Sequence, residues 1–470
     1  MESLTLNSAK PNVASSAPIF TNKMVALLPL GLFFISCMAL FSHYKTYDMH
    51  VLAGAAFISL MITGLFASNK NAFWESVIRG ISSKESVTIL LLLLLIGMFS
   101  QMIKVSGLTD GLIWFAQSFR FSEGGFVAFT FIAVCIVATA TGSSIGTMFA
   151  AFPVFFQTGV DIGVDGALLA GAIASGAIFG DNLAPISDTT IASASTQVSK
   201  KTGLTSDISG VVRSRFKYSV VAAIITIIAY LLLSNGHALS YDTFIREVSP
   251  FNLIMLIPVA VLLVVARITQ NIFVATSTAL LFGVILGIAS GVFGIEQVFF
   301  SDGSLGNHAS GFLADGIKNM MGTAILVASI FGIMGVIKAA KVVEAITENL
   351  MNSAICQTAR GFELVSAVLL NVVTMLFGGV TSATILSVGP IINEAGQKLN
   401  IHQYRRANIL DGFSNSLAVV VPFFSVFVFI AAALSGIEPN AVAAVFVYPV
   451  ALFSVLMLSV LTGFGRRYEE

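Results

Sequence analysis

Charge is scarce in this chain. Only 10% of its 470 residues are Asp, Glu, Lys or Arg, where a soluble domain carries about a quarter. With 56% hydrophobic residues as well, it cannot cover a water-facing surface of its own, which excludes a soluble globular protein. The few charges also cancel, 24 basic against 24 acidic, and that excludes a polybasic nucleic-acid binder and a polyacidic tail protein. Cysteine is nearly absent. Cys37 and Cys135 lie in apolar runs and Cys356 in a short connecting segment, so there is neither a disulfide framework nor metal-ligand spacing. The five histidines (His43, His50, His237, His308 and His402) are all expected in loops, which excludes haem and intramembrane metal sites. No A-x-A cleavage site precedes the first apolar run, so a cleaved signal peptide is not expected over the polar stretch 3–22.

What the chain has in abundance is apolar length. Runs long enough to cross about 30 Å of hydrocarbon occupy 24–42, 49–67, 86–106, 216–234, 251–267, 271–293, 322–340 and 441–463. Two further stretches, 166–196 and 405–434, would be about 45 Å long as straight helices. Each holds a proline and a polar patch, so each is expected to be a helix broken midway. Two more regions, 124–158 and 361–396, are apolar arms around Gly/Ser/Thr centres. The centres read Thr141-Gly142-Ser143-Ser144-Ile145-Gly146-Thr147 and Gly378-Gly379-Val380-Thr381-Ser382-Ala383-Thr384. These are re-entrant hairpins in our reading, tolerated only where the tip backbone is buried in protein or lines a cavity. The expected fold class is therefore an all-α polytopic membrane protein with about ten transmembrane helices plus two re-entrant hairpins.

The spans divide into a polar N-terminus (1–23), a first repeat (24–234), an outer connecting loop (235–250), a second repeat (251–463) and a C-terminal tail (464–470). With both termini cytoplasmic, 19 of the 24 Lys and Arg residues fall inside, Arg215, Arg405, Arg406 and Arg466 among them. Only Lys45, Lys104, Arg120, Arg246 and Lys318 fall outside, a strong positive-inside asymmetry. Each half contains an odd number of crossings, so the second is inverted relative to the first. Ile103-Lys104 aligns with Ile337-Lys338, Gly142, Thr147 and Pro153 with Gly379, Thr384 and Pro390, and Asp181-Asn182-Leu183-Ala184 with Asn415-Ser416-Leu417-Ala418. Inverted repeats with broken helices are the architecture of secondary transporters.

The chemistry concentrates at Gly180-Asp181-Asn182-Leu183-Ala184-Pro185-Ile186-Ser187-Asp188-Thr189-Thr190. Carboxylates at membrane depth cost a few kcal/mol each unless partnered, so they mark function by default. Pro185 frees a backbone carbonyl, and the neighbouring hydroxyls and amide supply the mixed oxygen cage that Na+ prefers. A proton competes for the same carboxylates. The hairpin tips offer Thr141, Gly142, Ser143, Ser144 and Thr147 on one side and Thr381, Ser382 and Thr384 on the other. The second break mirrors the first with Asp411, Ser414, Asn415 and Ser416, although Asp411 stands only two turns from the inner face and is also compatible with a place in the interface. Gly142-Ser143-Ser144-Ile145-Gly146 matches the G-x-S-x-G nucleophile elbow of hydrolases. No histidine is within reach to act as its base, so an enzyme is not expected.

Thr-Gly-Ser-Ser-Ile-Gly-Thr at 141–147, followed by the long motif at 180–190, resembles the NhaC family of sodium/proton antiporters. The resemblance implies a bacterial inner-membrane secondary transporter, with relatives that exchange Na+ for H+ and others that move small organic acids. It also implies that Asp181, Asn182, Ser187, Asp188 and Thr189 line the ion site, with Na+ at Asp188 and Asp181. Two positions depart from the family pattern: Ile145 stands where Trp is common, and Ala184 where Ser usually precedes the proline. Na+/H+ antiport by alternating access is the leading expectation, and Na+- or H+-coupled transport of a small organic acid or amino acid the alternative. The expected partners are Na+, H+ and the lipid bilayer, with a carboxylate-bearing solute in the alternative reading and a homodimer as an open assembly. No cofactor and no nucleic acid are expected.

Overall fold

The computed structural model describes residues 18–44, 48–119, 121–234, 250–269, 271–301 and 309–469. Lys10, Lys45, Arg120, Arg246, His237 and His308, and nearly all of the expected outer loop 235–250, lie outside the described residues.

The first half runs α1 (Leu28–Tyr44), α2 (Met49–Leu65), α3 (Lys70–Ile81), α4 (Lys84–Val105), α5 (Leu108–Phe119), α6 (Glu123–Thr141), α7 (Ser144–Ala151), α8 (Gln157–Asp161), α9 (Gly166–Leu183), α10 (Asp188–Ser195) and α11 (Ile208–Leu233). The second half runs α12 (Leu256–Thr269), α13 (Ile272–Ala289), α14 (Ile295–Val298), a two-residue ribbon of β1 (Phe300–Ser301) and β2 (Ala309–Ser310), and α15 (Phe312–Ala339). It continues with α16 (Val342–Met351), α17 (Ala359–Leu376), α18 (Thr381–Lys398), α19 (Gln403–Ser414), α20 (Val426–Ser435), α21 (Pro439–Ala444) and α22 (Val447–Thr462). Three apolar helices (α1, α2 and α4, then α12, α13 and α15), an amphipathic connector, a helical hairpin, a broken helix and a closing helix thus recur in the same order. The amphipathic α5 and α16 follow α4 and α15 at matching places.

Among the described residues, ten helices are long and apolar enough to cross a membrane. The number agrees with expectation, but two members of the set differ. The run at 49–67 forms only the 17-residue α2, and 405–434 is split into α19 and α20, so neither qualifies by length. In their place stand α6 and α17, the first arms of the two hairpins. Each arm is long enough to cross, yet each ends against a helix break inside the protein. The break at 184–187 is off-centre, not midway. At 1.5 Å per residue it lies about 27 Å from the start of α9 and about 12 Å from the end of α10. The spans expected at 216 and 322 begin earlier, at Ile208 and Phe312, so the helices reach further than their apolar runs.

The matching helices α4 and α15 pack against each other along their lengths. They run antiparallel: Ser83 and Glu85 share a cavity wall with Gly335 and Lys338, whereas further along Gly97 meets Gly316 backbone to backbone. Helices α2, α3, α4, α12, α13 and α15 gather on one side. The hairpins, both broken helices, α11 and α22 gather on the other.

Within this second group α9 lies directly on α6. A Cβ added at Gly180 would stand 2.1 Å from Ala138 Cβ and 2.5 Å from the Thr139 nitrogen, so only glycine allows the approach. Gly180→Val should therefore push α9 off α6 and cost at least about 1–3 kcal/mol. A thermal melt in detergent reads this directly, and an unchanged midpoint would show that the two helices can slide apart freely.

Candidate ion-binding site

The first break follows from the local sequence. Pro185 has no N–H and drives the residue before it out of the helical region. Ala184 accordingly adopts φ −67°, ψ 127°, and α9 stops there. Ser187 is extended and restarts the helix by accepting from the Thr189 N–H. The unwound residues 184–187 thus separate Asp181, on the last turn of α9, from Asp188, the first residue of α10.

The two carboxylates have different surroundings. Asp181 is 2% exposed. Its Oδ1 accepts from Ser187 Oγ at 2.5 Å and its Oδ2 from Ser144 Oγ at 3.0 Å. Ser144 belongs to the tip of the first hairpin, so the serine at the nucleophile position of G-x-S-x-G directs its hydroxyl at an aspartate. Asp188 is solvent-accessible, and its Oδ1 accepts from the amide of Thr189 at 3.0 Å. The side chain of Ser382, at the tip of the second hairpin, is a near neighbour of the Asp188 carboxylate. Between them the hydroxyls of Ser187 and Thr189 are 2.9 Å apart. A ladder of oxygens therefore runs from one hairpin tip to the other across the first break, closed at Asp181 and open at Asp188.

Other expected site residues have local duties. Thr141 and Thr147 pair their hydroxyls at 2.9 Å, and Ser143 caps α7 through the Gly146 N–H at 3.1 Å. Gly142, at φ +68°, lets the first tip turn while pressed against Ile186. Thr384 bonds the Val380 carbonyl and Ser414 the Leu410 carbonyl of their own helices. Thr381 is buried in the first turn of α18, which has no side-chain cap. Ser416 donates to the Phe413 carbonyl and to Asn371 Oδ1. Asn182 bridges the two breaks: its Nδ2 donates to Asp411 Oδ1 at 3.0 Å, and its Oδ1 accepts from Ser219 Oγ at 2.6 Å.

Four placements correct the charge reading. Arg215 is not on the inner surface. It lies inside α11, 1% exposed, with Nη1 2.6 Å from Asp411 Oδ2. Asp411 is likewise not interfacial but fully buried, with Asn415 Nδ2 donating to its Oδ1 at 2.7 Å. Arg405 and Arg406 are also buried, the first against Glu363 and the second against Glu469. Of the described histidines, His43 and His50 are in the end turns of α1 and α2 rather than in loops, and His402 is the N-cap of α19.

A cavity of about 400 Å³ separates α3, α4 and α15 from the second hairpin. Arg79, Glu85, Lys338, Phe377, Ala383 and Ser387 line it, so it reaches the neighbour of Ser382. A second cavity of about 680 Å³ shares Ser76, Arg79 and Ala339 with it and extends to Lys23 and Lys341.

Known proteins share this sequence pattern. Over 389 residues, 78% of this chain, it is 24% identical to a Na+/H+ antiporter NhaC of Alkalihalophilus pseudofirmus, covering 80% of that protein. It is 26% identical over 317 residues to an uncharacterized Na+/H+ antiporter of Haemophilus influenzae, covering 63% of this chain and 66% of the relative. A malate-2H+/Na+-lactate antiporter of Bacillus subtilis is 29% identical over 177 residues, 38% of this chain and 36% of that protein. Residues 4–235, which hold the first hairpin and the carboxylate pair, match the Na+/H+ antiporter family. Through residues 4–235, just under half of its length, the chain is similar to the Na+/H+ antiporter family.

Proposed function

We propose that the protein is a Na+/H+ antiporter working by alternating access, with Na+ and H+ competing for Asp188 and Asp181. The observation that carries this reading is the pair of carboxylates at an unwound break, each met by a different hairpin tip, one sealed and one open. An open carboxylate can exchange a hydrated ion, and a sealed one can complete its coordination when water is shed. Ser187, Thr189 and Ser382 are the neutral oxygens nearest to such an ion. Asn182, whose amide is engaged with Asp411 and Ser219, holds the breaks together instead. The halves are inverted repeats, with the chain in the bacterial cytoplasmic membrane and both termini inside. The Arg79 and Lys338 end of the cavity then faces the cytoplasm, and the hairpin group shifts against the group containing α4 and α15.

A second reading has its own support. The uncapped first turn of α18 presents free N–H groups at the second tip, which suit a carboxylate as well as they suit Asp188. The malate/lactate relative makes a small organic acid the natural candidate. One experiment separates the two: dissipation of a pH gradient in proteoliposomes, with Na+, Li+ and K+ alone and then with a panel of organic and amino acids. Flux driven by Na+ alone is the expected result. Flux that requires an added acid would replace antiport by coupled solute transport.

A further inference from the structure

The sequence alignment of the two breaks places Asn415 opposite Asp181, and the one carboxylate of the second break, Asp411, is taken up by an arginine from α11. That arginine touches both repeats. Arg215 Nη1 donates to the carbonyl of Asn182 at 2.6 Å and to Thr190 Oγ1 at 3.1 Å, and it forms an ion pair with Asp411 Oδ2 at 2.6 Å. Its Nη2 donates to Ser193 Oγ at 3.3 Å. Asn182 follows Asp181 on the last turn of α9, whereas Thr190 and Ser193 belong to α10, whose first residue is Asp188. One planar guanidinium therefore spans the unwound segment 184–187 and grips the helix on each side of it.

Such a grip has a geometric consequence. Between the last bond of α9, from the Ala184 N–H to the Gly180 carbonyl at 2.8 Å, and the start of α10, the ladder is reduced to one turn bond from the Ser187 N–H to the Ala184 carbonyl at 3.2 Å, and Pro185 has no donor, so the separation of Asp181 and Asp188 is weakly held from within. The guanidinium fork supplies that constraint from outside, because its donors are held in one rigid plane. The anchor is Asp411, itself held by Asn182 and Asn415. We propose that Arg215 is a positioning residue for the ion site: it sets the spacing of Asp181 and Asp188 by clamping both flanks of the first break to the second repeat.

This rests on the antiport reading, and it differs from a purely structural ion pair. A structural pair matters only because each partner neutralises the other, so removing both charges together restores what removing one destroys. A clamp is lost in either case. The test is the Na+ dependence of antiport, alongside thermal stability, for Arg215→Lys, Arg215→Gln and the double variant Arg215→Gln/Asp411→Asn. Arg215→Gln should raise the KM for Na+ by about tenfold or more, the scale of a small misplacement at a preorganised site. The double variant should recover the melting midpoint but keep the raised KM. Arg215→Lys, which keeps the charge and some of the donors, should fall between native and Arg215→Gln.

A double variant with native KM overturns the proposal, since Arg215 would then serve only to neutralise Asp411. A native KM in a folded Arg215→Gln overturns it as well. If Arg215→Gln fails to reach the membrane, the double variant alone decides between these outcomes. Absence of Na+-driven flux in the native protein would instead fail the antiport reading.

Discussion

Asp188→Asn should reduce Na+-driven proton flux in proteoliposomes to below about a hundredth of the native rate, while leaving the protein folded. The substitution preserves shape and removes both the negative charge and the exchangeable proton, and a positioned proton-transfer group is worth about 10²–10⁴ in rate. A cation moving from water into the break would then find hydroxyls and carbonyls but no open carboxylate. Little stability is at stake. Asp188 is solvent-accessible and accepts from the Thr189 amide, with Ser382 as a near neighbour, and an asparagine oxygen can accept from the same amide. The melting midpoint should stay within the range of ordinary surface substitutions, about ±0.5 kcal/mol. Asp181→Asn should also impair flux, but with a loss of stability, because its sealed oxygens accept from Ser187 and Ser144. Full Na+-dependent flux in Asp188→Asn would remove that residue from the ion site.

The parts of this molecule that the sequence makes legible are those written in local pattern. Apolar length places most of the helices, and Pro185 with its flanking Ser187 marks the first break, although the stretch 166–196 as a whole suggests a break midway. The Gly/Ser/Thr tips are recognisable because a turn inside protein needs φ > 0 at Gly142, Gly378 and Gly379. The parts it conceals are pairings across long separations. Arg215 lies close to the apolar run that begins at 216, so a charge count assigns it to water. The helix in fact begins at Ile208, which puts Arg215 two turns inside, and its partner is 196 positions away. Arg405 and Arg406 are misread for the same reason: a positive-inside count knows how far along the chain a charge lies, not which way it faces. Asp411 looked interfacial because only its depth was legible, whereas its arginine was not. A charged residue inside the true start of a long helix is the signal that could have found Arg215.

The buried charges around Glu363 in the second half of the chain lead to the opposite kind of expected result. Glu363, in the second turn of α17, is fully buried. Its Oε1 accepts from Arg405 Nε at 2.8 Å, and its Oε2 from Arg405 Nη2 at 3.1 Å and Arg466 Nη2 at 2.7 Å. Arg405 also donates to Ser459 Oγ at 2.8 Å and to Tyr218 at 3.2 Å, so one network ties α11, α17, α19, α22 and the C-terminal tail. The same carboxylate holds the Arg466 guanidinium above its usual range, chiefly through the hydrogen bond between them. Glu363→Gln would leave two guanidinium groups facing a neutral amide, one of them in the interior. Breaking a buried pair from one side costs about 3–5 kcal/mol, because the stranded charge can neither hydrate nor neutralise. The melting midpoint should fall sharply, and Glu363→Gln/Arg405→Gln should recover part of the loss by removing the more deeply buried charge. An unchanged midpoint in the single variant would mean that water already reaches the cluster. Glu363 lies about 21 Å along α17 from the hairpin tip. Molecules that do fold should therefore keep their Na+-driven flux, whereas Asp188→Asn keeps its fold and loses its flux.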